Sequence, residues 1–263
     1  MKRVLTALIG MPLFVGLTWL GGWPFVAFIG IIALAGQKEA FELFEGETAL
    51  PGNLMAFLAA LCMVVAPIWW PALWLIAPLG IGSLAWFLIR APGGQPLTTL
   101  GGSMLGLIYP AAFLASLVMI RVPYRAVSWD PFVVTMGVVV LIWTCDTAAY
   151  YAGRTAGKHK LAPSLSPKKT WEGAIGGGIG AIAVSLLLAL YWSGGLAIQH
   201  WLALGVLAGT AGPVGDLFES ALKRAAGTKD SASILPGHGG VLDRFDALAF
   251  VAPLAAAYLF GLA

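Results

Sequence analysis

Between Asp216 and Asp246 the chain reads DLFESALKRAAGTKDSASILPGHGGVLDRFD, flanked on both sides by almost purely apolar sequence. Nine charged residues fall in this stretch, out of 15 basic and 12 acidic residues in the whole chain: Asp216, Glu219, Lys223, Arg224, Lys229, Asp230, Asp243, Arg244 and Asp246. His238, one of 3 histidines, lies among them. Carboxylates set close to lysines and arginines suit a phosphate-bearing substrate taken with a hard divalent cation. The carboxylate oxygens hold Mg²⁺ and the basic groups take the phosphate charge. Gly237, Gly239 and Gly240 allow tight turns or close backbone approach to a ligand. Asp243 and Asp246, three apart, share a face if a helix opens here. A simpler reading makes Asp243 an N-cap, Asp246 the N3 acid of a final helix, and the lysines ordinary cytoplasmic-side charge. It leaves Lys229, Asp230 and His238 without a role.

Two further constellations carry chemistry. Asp146 lies in an otherwise uncharged apolar run, where an ionisable group costs ~2.5–3.5 kcal/mol and marks function by default. The competing reading is an interhelical hydrogen bond through Asp146 and Thr147. In Ser166–Gly173, SPKKTWEG, Lys168, Lys169 and Thr170 stand just before a predicted helix, and a helix N-terminus beside lysines attracts anions. Other patterns fail on inspection. Gly153–His159 is one residue short of a phosphate-binding loop and has histidine where Ser or Thr belongs, and no strand precedes Gly176-x-Gly178. The glycines at 173, 176, 177, 178 and 180 suit close helix packing in a membrane.

The elements that position these residues are membrane helices. With 59% hydrophobic and 10% charged residues, against ~25% charged in an ordinary soluble domain, the chain is expected to be one all-α, polytopic integral membrane domain over 1–263. Cys62 and Cys145 sit in apolar runs and suggest buried thiols, not a disulfide framework or zinc site. Met1-Lys2-Arg3 opens an apolar run with no evident cleavage site, so a retained first span is expected. Gly21–Pro24 then divides the uncharged run in two. The acidic segment Gln37–Gly52 (Glu39, Glu42, Glu45, Glu47) reads as a solvated loop or interfacial helix end. Pro67–Pro71 splits a third span from a fourth, and Ala91–Thr99 is a loop. Leu100–Ile120 and Phe132–Ala152 follow as spans, then a basic loop, Arg154–Thr170. Two spans cover Gly173–Pro213, and a short ninth is Ala247–Leu262. About nine helices with a cytoplasmic N-terminus place every basic residue except Arg121 and Arg125 on the cytoplasmic side. Both polar loops then share that face, giving N-terminal helices over 1–130 and a catalytic half over 131–263 whose site is built from cytoplasmic loops and helix ends.

The run from Ser220 to Asp246, with S-A-L-K-R, K-D-S-A, L-P-G-H-G-G and L-D-R-F-D, resembles the signature of the phosphatidate cytidylyltransferases, the CDP-diacylglycerol synthases. The S-P-K-K-T-W-E-G element resembles a second motif of that family, and D-T-A-A-Y at Asp146 matches its D-x-x-A-Y element. The resemblance covers the chain from about Asp146 onward and implies transfer of the cytidylyl group of CTP to phosphatidic acid, with release of pyrophosphate, in phospholipid biosynthesis. It assigns Asp216, Asp243 and Asp246 to Mg²⁺, with a second, monovalent cation left open. Ser166, Lys168, Lys169, Thr170, Ser220, Lys223, Arg224, Lys229 and Arg244 are assigned to substrate, chiefly its phosphates. Asp230 and His238 shape the catalytic site, and Asp146 lines its polar cavity. The expected partners are CTP, phosphatidic acid and membrane lipid, not nucleic acid. A homodimer is a compatible assembly, and a bacterial inner membrane the expected location. The alternatives are a CTP-dependent polyprenol or dolichol kinase, which would release CDP, and an ion-coupled transporter, for which no internal repeat is visible.

Overall fold

The computed structural model describes residues 2–45, 54–90, 96–228 and 240–261. Nine α-helices run through them: α1 (Lys2–Leu20), α2 (Gly22–Glu45), α3 (Leu54–Val65), α4 (Leu73–Arg90), α5 (Pro96–Arg121), α6 (Pro131–Ala156), α7 (Trp171–Tyr191), α8 (Ile198–Ala225) and α9 (Leu242–Gly261). The strands β1 (Lys160–Ala162) and β2 (Ser166–Thr170) lie between α6 and α7. Six of the described helices, α2 and α5 to α9, contain segments long and apolar enough to cross a membrane, while the apolar segments of α1, α3 and α4 are shorter. The chain is therefore an all-α polytopic membrane protein. On α7 the large residues Ile175, Ile179, Ile182, Leu186 and Leu190 are all exposed at helical spacing, the stripe expected of a helix whose solvent is lipid.

The described chain divides into two compact units, one from Met1–Tyr124 with Ala226–Arg244, the other from Arg125–Ala225 with Phe245–Ala263. In the first, α2, α3 and α5 pack around Phe41, Ala56, Ala59 and Leu107. Gly106 faces the Phe41 ring so closely that a Cβ there would overlap it. The Arg121 guanidinium, at the end of α5, donates to the Thr18 and Trp19 carbonyls at the end of α1. These are among the carbonyls that a helix C-terminus leaves unpaired. Gly21, at φ +63°, turns the chain into α2.

In the second unit α6 begins at Pro131, and the Asp130 carboxylate caps it by accepting the Phe132 and Val133 N–H groups at 2.8 and 3.1 Å. Glycine packing joins α6 to α7. A Cβ on Gly173, Gly176, Gly177 or Gly180 would meet Ala149, Ala152, Cys145 or Ala148 of α6 within 3.0 Å. A strand, β2, does precede α7, contrary to the expectation from sequence, but these glycines serve close helix approach. At the other end, Arg125 Nη2 donates to the Phe260 carbonyl at the end of α9 (2.6 Å).

Two loop expectations differ from the structure, and a third in part. Of the two readings of the acidic segment after Gln37 the helix end holds, since α2 runs to Glu45, but Glu39 within it is fully buried. The basic loop over Arg154–Thr170 contains an antiparallel hairpin pairing Lys160 with Thr170 and Ala162 with Ser166. Residues 216–225 are the last turns of α8, not loop. That helix continues because its charges satisfy one another along the axis: Glu219 Oε2 and Lys223 Nζ, one turn apart, are 3.0 Å apart.

Candidate functional site

The site is assembled in the second unit on one face of α6. Asp146, Tyr150 and Arg154 recur at four-residue spacing, so all three lie along one stripe. They line a cavity of about 500 Å³ with Lys168, Lys169, Thr170 and Asp216. Gly153 and Gly173 form part of its wall. With no side chains, they let α6 and α7 come together beneath it. Arg154 Nη1 donates to the Tyr150 hydroxyl at 3.1 Å, which holds the guanidinium along the stripe.

Lys168 and Lys169 are carried on β2, which runs directly into α7. Thr170 ends the strand and caps the helix, its Oγ1 accepting the Gly173 N–H at 3.1 Å. The mouth of the hairpin is closed by Glu172. Both of its carboxylate oxygens accept the His159 N–H at 3.2 Å, and Oε1 lies 2.6 Å from His159 Nδ1. The Trp171 N–H donates to the His159 carbonyl at 3.0 Å. His159 is exposed, as a solvated loop residue would be, but it is engaged. Its contacts tie the start of β1, the partner of the lysine-bearing β2, to the first turn of α7.

From α8, Asp216 reaches Lys169, Oδ2 lying 2.6 Å from Nζ, with both side chains about a quarter exposed. Across from it on α9, Asp246 lies within hydrogen-bonding reach of the Asp216 carboxyl and feels the charges of Asp216 and Glu219. The closeness of α8 and α9 rests on Gly215, where an added Cβ would lie 2.5 Å from the Asp246 carbonyl oxygen. Asp246 Oδ1 also accepts the Ala247 N–H at 2.7 Å.

The two acids offer hard oxygen donors side by side, and an ammonium already rests on one of them. Among the described residues no three His, Cys, Asp or Glu side chains are grouped to hold a metal. Two carboxylates fit Mg²⁺, an ion that commonly takes one or two of them and completes its shell with other oxygens.

Of the residues expected from sequence, Asp146, Lys168, Lys169, Thr170 and Asp216 are brought to one cavity, with Asp246 against Asp216. Ser166 is at the far end of β2. Ser220, Lys223 and Arg224 continue α8 beyond Asp216, where Lys223 is paired with buried Glu219 and not standing open as a phosphate contact. Asp243 is the second residue of α9, and its Oδ2 accepts the Gly240 N–H at 2.9 Å. Arg244 follows it, its N–H donating to the Val241 carbonyl at 3.0 Å. Lys229, Asp230 and His238 lie outside the described residues. Sequence reasoning did not single out Arg154 and met Tyr150 only within the D-x-x-A-Y element, although their spacing from Asp146 was the signal. Nor did it single out Glu172, read there only as part of a motif.

The model of the cytidylyltransferase family matches residues 1–262. A phosphatidate cytidylyltransferase of Synechocystis is 32% identical over 96% of this chain and 94% of its own length. One from Brucella suis is 36% identical over 98% and 92%, respectively. A chloroplastic phosphatidate cytidylyltransferase of Arabidopsis thaliana is 32% identical over 98% of this chain and 71% of its own length.

Proposed function

The chain belongs to the cytidylyltransferase family, and on that premise we propose that it transfers the cytidylyl group of CTP to phosphatidic acid, giving CDP-diacylglycerol and pyrophosphate. The observation that carries this reading is the cavity where Arg154, Lys168 and Lys169 face Asp146 and Asp216. It offers cations for two phosphate groups, beside a carboxylate pair, in a helical unit that lies in lipid. A phosphate oxygen of the lipid forms a bond to the α-phosphorus of CTP, and the bond from that phosphorus to the bridging oxygen breaks, its electron pair leaving on pyrophosphate. No protein nucleophile is needed, so the work is to align two anions that repel each other. Lys168 and Arg154 neutralise phosphate charge. Lys169 does the same from a position fixed by Asp216, and Thr170 sets the end of the strand that carries both lysines. Magnesium on Asp216 and Asp246, when bound, supplies charge neutralisation at the triphosphate. Asp243, Lys229, Asp230 and His238 are assigned to the same chemistry on the signature alone.

The same proposal places the N-terminus and the polar site on the cytoplasmic face of a bacterial inner membrane, with nine crossings. The distribution of basic residues supports it, because Arg121 and Arg125 are the only two on the outer side in that topology. Both exceptions have a structural use: Arg121 caps the end of α1 and Arg125 binds the end of α9. The ends of α1 and α5 therefore share a face, as do the start of α6 and the end of α9, as a nine-crossing path requires. The test is incubation of the purified protein with phosphatidic acid, CTP and Mg²⁺. A cytidine-containing lipid and pyrophosphate are expected. CDP with a newly phosphorylated lipid would overturn the assignment in favour of a kinase.

A further inference from the structure

Glu39 of α2 is a carboxylate that the reaction does not use, and it is fully buried. Its Oε1 accepts the Val241 N–H at 2.7 Å and its Oε2 the Leu242 N–H at 2.9 Å, both more than 200 residues further along the chain. These donors open α9, where a helix has N–H groups with no partner of their own and favours negative charge. A helix ordinarily draws its cap from the residue just before it. Here that residue is Val241, which has no side-chain acceptor. One turn before Glu39, Gly36 brings α2 against the same opening, since a Cβ there would stand 3.2 Å from Leu242 Cδ2. Val241 is buried, and a Ser there could cap the helix without burying a charge, so capping alone does not call for a carboxylate from α2. The residue after Leu242 is Asp243, turned back onto the Gly240 N–H. We propose that Glu39 is a positioning residue: by clamping the Val241 and Leu242 N–H groups it sets the first turn of α9 and with it the orientation of Asp243. This rests on the assignment of Asp243 to metal and phosphate chemistry made above.

The experiment uses the full chain in detergent or lipid and compares Glu39→Gln, Glu39→Asp and Asp243→Asn with the parent protein. Glutamine keeps the shape but offers one acceptor, so one N–H faces an amide it cannot bond. The readouts are folded fraction, thermal midpoint, and lipid-product formation as Mg²⁺ and CTP are varied. Glu39→Gln is expected to fold with a midpoint near that of the parent, to lose ~10- to 100-fold in turnover per folded molecule, and to need severalfold more Mg²⁺ for half-maximal rate. Should Glu39→Gln fail to fold, Glu39→Asp, which keeps the charge one methylene short, is expected to show the same Mg²⁺ shift at smaller size. A loss that only follows folded fraction, with unchanged Mg²⁺ dependence in the variant that folds, overturns the proposal. Asp243→Asn separates the two layers. If it retains turnover and Mg²⁺ dependence, the assignment of Asp243 falls and this inference with it. If it is inactive while Glu39→Gln matches the parent, only the role of Glu39 is refuted.

Discussion

Replacing Gly215 by alanine tests whether the approach of α8 to α9 sets the carboxylate pair. The added Cβ would stand 2.5 Å from the Asp246 carbonyl oxygen and 3.1 Å from its carbonyl carbon. Both are backbone atoms, so no side chain can swing aside. Ordinary contact begins at 3.4 Å, so the helices must part by about 0.9 Å, and a displacement near 1 Å costs ~10²-fold in a reaction that depends on alignment. The fold should survive. Overpacking costs ~1–3 kcal/mol, offset in part by the ~1 kcal/mol that alanine gains over glycine inside a helix. Gly212→Ala, one turn earlier on the same helix, is the control, because its Cβ would meet Ala247 and Val251 at an unstrained 3.9 Å. Initial rates of CDP-diacylglycerol formation, normalised to folded protein, should fall ~10²-fold in Gly215→Ala, about 2.7 kcal/mol in barrier, and stay near the parent value in Gly212→Ala. Parent-like turnover in a folded Gly215→Ala protein would refute the reasoning, as would equal losses in the two variants.

Asp216→Asn and Asp246→Asn, which keep shape but remove charge, should each leave membrane insertion and thermal midpoint near normal while activity drops by orders of magnitude. An asparagine side-chain oxygen at position 246 can still accept the Ala247 N–H, so a folded variant with most of its turnover and Mg²⁺ dependence would sink the metal assignment. Arg121→Ala removes two charge-assisted bonds to the end of α1 and should lower stability by about 1–3 kcal/mol while turnover per folded molecule is kept; an unchanged midpoint in a detergent melt would deny the capping role. Cysteines placed at Lys158 and Tyr124 in a cysteine-free background should react with impermeant reagents from the cytoplasmic and the outer side, respectively. Labelling of position 158 from outside would reverse the orientation.

Much of this protein is legible in short-range pattern. Apolar runs long enough for lipid name the helices because no other solvent tolerates them. The glycines from 173 to 180 recur at helical spacing, and the structure uses them to seat α7 on α6. Asp146, Tyr150 and Arg154 also declare a common face once α6 is granted, since four residues make about one turn. The charged run from Asp216 to Asp246 stands out by composition as a candidate polar site, because charge is costly within lipid.

Tertiary structure decided the rest. The hairpin that presents Lys168 and Lys169 consists of strands only three and five residues long, too short for any periodicity, and its closure depends on Glu172 meeting His159. That Asp216 pairs with Lys169 and borders Asp246 follows from β2, α8 and α9 converging, with only the missing side chain of Gly215 as an outward sign. Glu39 is the clearest case. Within KEAFELFE it looks like one more solvated acid, yet it is buried against two amide groups at the start of α9. Every residue but proline carries such an N–H, so nothing in the identity of Val241 or Leu242 marks them as the partners. A side chain that binds backbone far away in the chain leaves no pattern in sequence, and only the folded path of the chain reveals it.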